Sequence, residues 1–120
     1  MKKVLIIDDS AFARLSLKTM LEKNGYEVVG EAGDALTGVM MYKRLRPDVV
    51  TMDITMPDVD GIEGLKLIKK LDTDAKIIMI SGMGQEVKVM EAVKNGALAF
   101  IVKPFNENII LKSFTQTCLG

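Results

Sequence analysis

Asp8 and Asp9 follow the apolar run Val4 to Ile7, Asp53 follows the run Asp48 to Met52, Ser81 follows Lys76 to Ile80, and Lys103-Pro104 follows Ala99 to Val102. Gathered on one rim, Asp8, Asp9 and Asp53 would repel one another, which raises the pKa of some of them or demands a cation. Mg²⁺ suits such a set. It is a hard ion that prefers oxygen ligands in an octahedron, keeps several waters, and uses one or two carboxylates plus a phosphate oxygen. The all-oxygen donors argue against zinc or copper. A carboxylate beside such an ion, with a lysine and a small hydroxyl near it, is a nucleophile for phosphoryl transfer through an aspartyl phosphate. In-line transfer needs charge neutralisation on the equatorial oxygens more than acid-base chemistry. Asp53 is the central candidate for the nucleophile, with Mg²⁺ and Lys103 neutralising the charge.

Each of these residues also has a plainer reading. An Asp-Asp pair between a strand and a helix serves as a turn and an N-cap. Ser81-Gly82, and Asp58 through Gly61, read as turns when each is judged alone. Lys103 by itself reads as a solvated charge, and Phe100 as a buried strand residue. Turn chemistry, however, has no reason to place two acids, a third acid, a hydroxyl and an ammonium at the ends of four different strands.

The elements that would position them alternate along the chain. Val4 to Ile7 is a continuous apolar run rich in β-branched residues, which predicts a strand buried on both faces. Similar runs recur at Glu27 to Ala32, Asp48 to Met52, Lys76 to Ile80 and Ala99 to Val102. Between the first two, Phe12, Leu15, Leu17, Met20 and Leu21 follow helical spacing up to Asn24-Gly25, where glycine supplies a left-handed stop. Further helices are expected over Asp34 to Leu45 (ahead of Pro47), Gly61 to Leu71, Gln85 to Lys94, and Asn106 to about Thr117. Strand-helix alternation with short connections predicts an α/β fold, a five-stranded parallel sheet with about five helices on its two faces and right-handed crossovers. Ligands of such sheets bind outside the carboxyl ends of the strands, where the candidate residues stand.

The composition removes other classes of partner. The 120 residues suit one domain, residues 1–120, with no separate output domain, and the 48% hydrophobic content can bury one core. Sixteen basic residues balance sixteen acidic ones, so no net field favours nucleic acid or an anionic membrane. Cys118 is the only cysteine and histidine is absent, so no internal disulfide and no zinc cluster is expected, which fits a reducing, cytoplasmic setting. The apolar run after Lys2-Lys3 is too short for a signal peptide or a membrane span.

Taken in order, Leu-Ile-Ile-Asp-Asp-Ser at 5 to 10, Thr-Met-Asp-Ile-Thr-Met-Pro at 51 to 57 with Asp60-Gly61, Ile-Ser-Gly-Met-Gly at 80 to 84, and Phe-Ile-Val-Lys-Pro-Phe at 100 to 105 resemble the response-regulator receiver domains of two-component signalling. The resemblance covers the whole chain and points to the stand-alone chemotaxis members. It implies the flavodoxin-like strand order 2-1-3-4-5, Asp53 as phosphoacceptor, and Asp9 with Asp53 as Mg²⁺ ligands. Asp8 would bind through water or orient the site, and the backbone carbonyl of Thr55 would complete the protein's share of the shell. Lys103 would contact the phosphoryl group, and its peptide bond to Pro104 would be cis. Ser81 and Phe100 would be the switch hydroxyl and the switch aromatic, reshaping the face of the fourth helix, fifth strand and fifth helix. A histidine kinase would be the phosphodonor and a flagellar motor switch protein the downstream partner of a monomer. A phosphorelay intermediate that passes its phosphoryl group to a histidine phosphotransfer protein is the alternative.

The chain departs from the family at Asp34-Ala35-Leu36-Thr37-Gly38, where many relatives carry Asn-Gly-Xaa-Glu-Ala, and in a sparsely charged tail from Ser113 to Gly120. Altered packing of the second helix, or a partner face on it, is expected. The nine methionines are expected mainly in the core. Thr55 and Met83 stand where relatives carry side chains near the attacking water, and neither offers an acid or an amide, so acyl-phosphate lifetime is expected to follow access and any external phosphatase. Two other chemistries compete. A haloacid-dehalogenase-type enzyme also pairs an Asp nucleophile with Mg²⁺, but its nucleophile ends the first strand and has a second acid two residues on, where this chain has Thr55. An FMN carrier needs a phosphate-binding loop after the first strand, where Asp8-Asp9 would repel the phosphate.

Overall fold

The computed structural model describes residues 1–118 and places ten elements in strict alternation. They are β1 (Lys3–Ile7), α1 (Ala11–Lys23), β2 (Glu27–Ala32), α2 (Ala35–Leu45), β3 (Val49–Asp53), α3 (Gly61–Leu71), β4 (Ile77–Ser81), α4 (Glu86–Lys94), β5 (Ala99–Val102) and α5 (Glu107–Cys118). All strand pairs are parallel, in the order β2-β1-β3-β4-β5. The expected α/β sandwich is therefore the observed one. Residues 119 and 120, the end of the sparsely charged tail, lie outside the described residues.

Two apolar layers cover the sheet. On one face Leu5, Ile7, Val50, Met52, Ile77 and Met79 pack with Leu65 and Ile68 of α3; on the other Val4, Ile6, Val49, Ile78 and Ile80 pack with Leu17, Leu21, Ile110 and Phe114 from α1 and α5. The continuous apolar runs thus suit central strands whose alternate side chains enter opposite layers. The expectation of burial on both faces fails at the sheet edges. In β5 only Ile101 is buried, while Phe100 and Val102 are exposed, because this strand has no neighbour beyond it and α4 leaves its outer face open. In β2 only Ala32 is buried.

Helix starts are set by side-chain caps. Ser10, Asp34 and Asp60 accept from the N–H three residues on, and Asn106 does the same for Ile109. Asp34 and Asn106 therefore stand just outside the helices they were expected to begin, as caps in extended or turn conformation do. The atypical start of α2 has a steric reason. A Cβ on Gly38 would lie 2.3 Å from Cδ1 of Ile7, so the missing side chain lets α2 settle closely on β1. Leu36 and Met40 remain exposed on the outer side of that helix. Of the methionines, Met52, Met56 and Met79 are buried and Met20 and Met41 pack against the core, whereas Met1, Met40, Met83 and Met90 face outward.

Candidate phosphoacceptor site

The order of the strands reverses between β1 and β3, and their carboxyl ends open a crevice of the kind that binds ligands in such sheets. Asp8 follows β1, Asp53 is the last residue of β3, and carboxylate oxygens of Asp8, Asp9 and Asp53 lie within 4.8 Å of one another. Asp8 and Asp53 are buried, while Asp9 is exposed. Lys103, just past β5, reaches back so that its Nζ lies 3.4 Å from Oδ2 of Asp8 and 3.5 Å from Oδ2 of Asp53. The peptide bond between Lys103 and Pro104 is cis, as the resemblance implied. Asp8 is held in turn: its Oδ1 accepts from the N–H of Ser10 at 2.9 Å, and its carbonyl accepts from Arg14.

Ser81 closes β4 one register step beyond the Ile80 that faces Asp53. Its hydroxyl is buried and has no hydrogen-bond partner among the described residues. The hydroxyl of Thr51 in β3 is likewise buried without a partner, and a buried hydroxyl left in that state carries a desolvation cost. Thr55 sits two residues past Asp53, and its backbone N–H pulls the pKa of the Asp53 carboxyl downward. Phe100 is not brought to the acids. Its ring is 48% exposed, which removes the plain buried-strand reading, and it lines a groove of about 710 Å³ between α4 and β5.

The family model of the response regulator receiver domain matches residues 4–115. The chain belongs to the receiver-domain family. It is 51% identical over 115 residues to the chemotaxis protein CheY of Thermotoga maritima and 50% identical over 115 residues to that of Bacillus subtilis, with 96% of this chain and of each relative covered. Among solved structures, a chain of the CheX-CheY-BeF3-Mg complex from Borrelia burgdorferi superposes with a TM-score of 0.95 at 36% identity, covering 99% of this chain and 90% of that one. This receiver is accordingly a chemotaxis-type response regulator, a signalling protein. Among its described residues no helix is long and apolar enough to cross a membrane.

The electrostatics of the receiver's acid cluster follow from burial. Desolvation, and then the charge of Asp8, push the Asp53 carboxyl up to about 6, against the opposing pull of Lys103 and the Thr55 N–H. A divalent cation fits this cluster: the donors are all oxygen, two of the acids are buried, and Lys103 alone does not offset their repulsion. The raised folded-state pKa means that folded protein binds more protons than the unfolded chain between about pH 4 and pH 6. Without divalent cations, stability therefore falls as pH rises through that window. At about 1.4 kcal/mol per pKa unit, Asp53→Asn is expected to stabilise the metal-free protein by roughly 1–3 kcal/mol near neutral pH and by nothing near about pH 4. Urea unfolding at the two pH values in EDTA checks this, and equal midpoints for variant and wild type at neutral pH would refute it.

Two residues of the receiver's site had no chemical reading in the sequence. Gly61 is the first residue of α3, as expected, but it also lies against the backbone of Asp53. Gln85, expected as the start of the fourth helix, donates its carboxamide N–H to Oγ1 of Thr55 and accepts from the N–H of Gly82. The motif containing Asp60-Gly61 could have signalled the first. Nothing in the sequence around Gln85 signals the second, because the partner that ties it to the site, Thr55, lies thirty residues away.

Proposed function

We propose that Asp53 accepts a phosphoryl group from a histidine kinase and that the phosphorylated receiver changes its affinity for a flagellar motor switch protein. The observation that carries this reading is the buried Asp53 carboxylate clustered with Asp8 and Asp9 and paired to Lys103. An oxygen of Asp53 attacks phosphorus, and the bond to the donor's imidazole nitrogen breaks with its electron pair leaving on that nitrogen. Asp9, Asp53 and the carbonyl of Thr55 would hold Mg²⁺, with Asp8 contributing through water or by orienting the site. Bound there, the ion supplies charge neutralisation to the phosphoryl oxygens. Lys103, 3.5 Å from Asp53, adds its own positive charge and transmits the result. The reading places the chain in the reducing cytoplasm, in keeping with its single thiol, Cys118.

Read-out follows from the orphaned Ser81 hydroxyl. New phosphoryl oxygens offer it acceptors, and its movement vacates space into which the Phe100 ring turns. The groove beside Phe100, with Met83, Met90 and Val93 on its wall, belongs to the face of α4, β5 and α5 proposed to dock the partner. A structural neighbour from Borrelia burgdorferi forms a CheX-CheY-BeF3-Mg complex, which is in keeping with a protein partner for this chain. Calorimetric titration with the motor switch protein of the same organism tests the reading. Beryllofluoride with Mg²⁺ is expected to tighten binding at least about tenfold, a coupling of ordinary allosteric size. Lys103→Ala is expected to accept some label yet show no such tightening. Equal affinity with and without beryllofluoride would sink the proposal, and a normal response in Lys103→Ala would remove that residue's role.

A further inference from the structure

Gln85 occupies the N-cap position of α4, yet its side chain makes no capping bond, unlike those of Ser10, Asp34 and Asp60 at the helices they begin. Its carboxamide instead ties two loops together. The N–H side binds the hydroxyl of Thr55, two residues past Asp53, and the carbonyl side accepts from Gly82, the residue after Ser81. One half-buried side chain thus bridges the segment that follows the phosphoacceptor and the segment that carries the unpartnered Ser81 hydroxyl. The bridge fixes the spacing between these two segments, so a relative movement of Ser81-Gly82 and Thr55 must break or rearrange it, and Gln85 also lines the groove beside Phe100.

We propose that Gln85 is a positioning residue that holds Thr55 and the Ser81-Gly82 segment in the resting arrangement, and that its release accompanies the approach of the Ser81 hydroxyl to a phosphoryl group on Asp53. The inference rests on the phosphoacceptor reading above. Thr55 and Met83 offer no amide of their own, but Gln85 brings one to the Thr55 hydroxyl. Because a ligand acts only through its differential affinity for two arrangements, weakening the resting one favours the active one.

Phosphoramidate with Mg²⁺ is the probe, and the initial rate of Asp53 labelling, located by peptide mapping, is the readout. Gln85→Ala removes two neutral hydrogen bonds of modest net worth, so labelling is expected to run roughly three- to tenfold faster, with beryllofluoride binding tighter by a similar factor. Thr55→Val removes one of the bonds and is expected to give a smaller gain. The double variant is expected to match Gln85→Ala, since both changes break the same bridge. A residue with a purely structural role would not accelerate labelling. Labelling on Asp53 at an unchanged or reduced rate in Gln85→Ala overturns the positioning role and leaves the phosphoacceptor reading intact. No label on Asp53 in any of the proteins overturns both. Should Gln85→Ala fail to fold, Thr55→Val decides alone: faster than wild type supports the bridge, and equal or slower overturns it.

Discussion

Asp53→Asn is expected to abolish the acid-stable, base-labile adduct formed with acetyl phosphate or phosphoramidate and Mg²⁺, a loss of at least roughly a hundredfold because an amide is a poor nucleophile. Neither neighbouring acid is equipped to replace it. Asp8 has one oxygen engaged by the Ser10 N–H and the other near Lys103, and Asp9 is exposed and unpaired with Lys103. Mass spectrometry of the intact protein, followed by peptide mapping, measures the adduct. Because the same substitution is expected to stabilise the metal-free fold near neutral pH, a lost adduct in a more stable protein cannot be put down to unfolding. Equal labelling of the variant at the same rate would mean that the nucleophile is another residue.

The second large effect concerns a residue with no chemistry of its own. A Cβ added to Gly61 would lie 1.9 Å from the carbonyl oxygen of Asp53, 2.8 Å from its carbonyl carbon and 2.9 Å from Cα of Ile54. These are backbone atoms in a buried strand end, and no rotamer change can move them aside. Glycine to alanine within a helix is ordinarily worth up to about 1 kcal/mol in favour of alanine. Here the clash reverses the sign, and Gly61→Ala is expected to cost about 3 kcal/mol or more, at or beyond the usual upper end for overpacking. It should also slow Asp53 labelling, since relief of the contact shifts the residue that carries the nucleophile. Gly64→Ala in the same helix is the control. Its nearest contact, 2.8 Å, is with Cε of Met52, the end of a flexible side chain, so a much smaller loss is expected. Urea midpoints for the two variants check the contrast, and a Gly61→Ala protein as stable as wild type would refute the steric argument.

Legibility in the sequence differed from residue to residue for identifiable reasons. The central strands declared themselves because burial on both faces leaves unbroken apolar runs such as Val-Leu-Ile-Ile at 4 to 7. The edge position of β5 was implied by the family resemblance alone, since Ala99 to Val102 is equally apolar and strand order is a property of the whole sheet. Helix ends shifted by a residue where a cap mimicked a first turn, as at Asp34 and Asn106.

Residue type and local period were enough to settle that this chain alternates strand and helix, that its acids, hydroxyl and lysine stand at strand ends, and that no histidine or cysteine cluster competes with an oxygen site. Folding alone decided the rest. It brought Lys103 within 3.5 Å of Asp53, raised the Asp53 carboxyl to about 6 by burying it, left the Ser81 hydroxyl without a partner, turned Phe100 outward, and joined Gln85 to Thr55. Local pattern reports the average surroundings of a side chain along its own element. Proximity and desolvation, which set charge and reactivity, are created only when distant elements pack together.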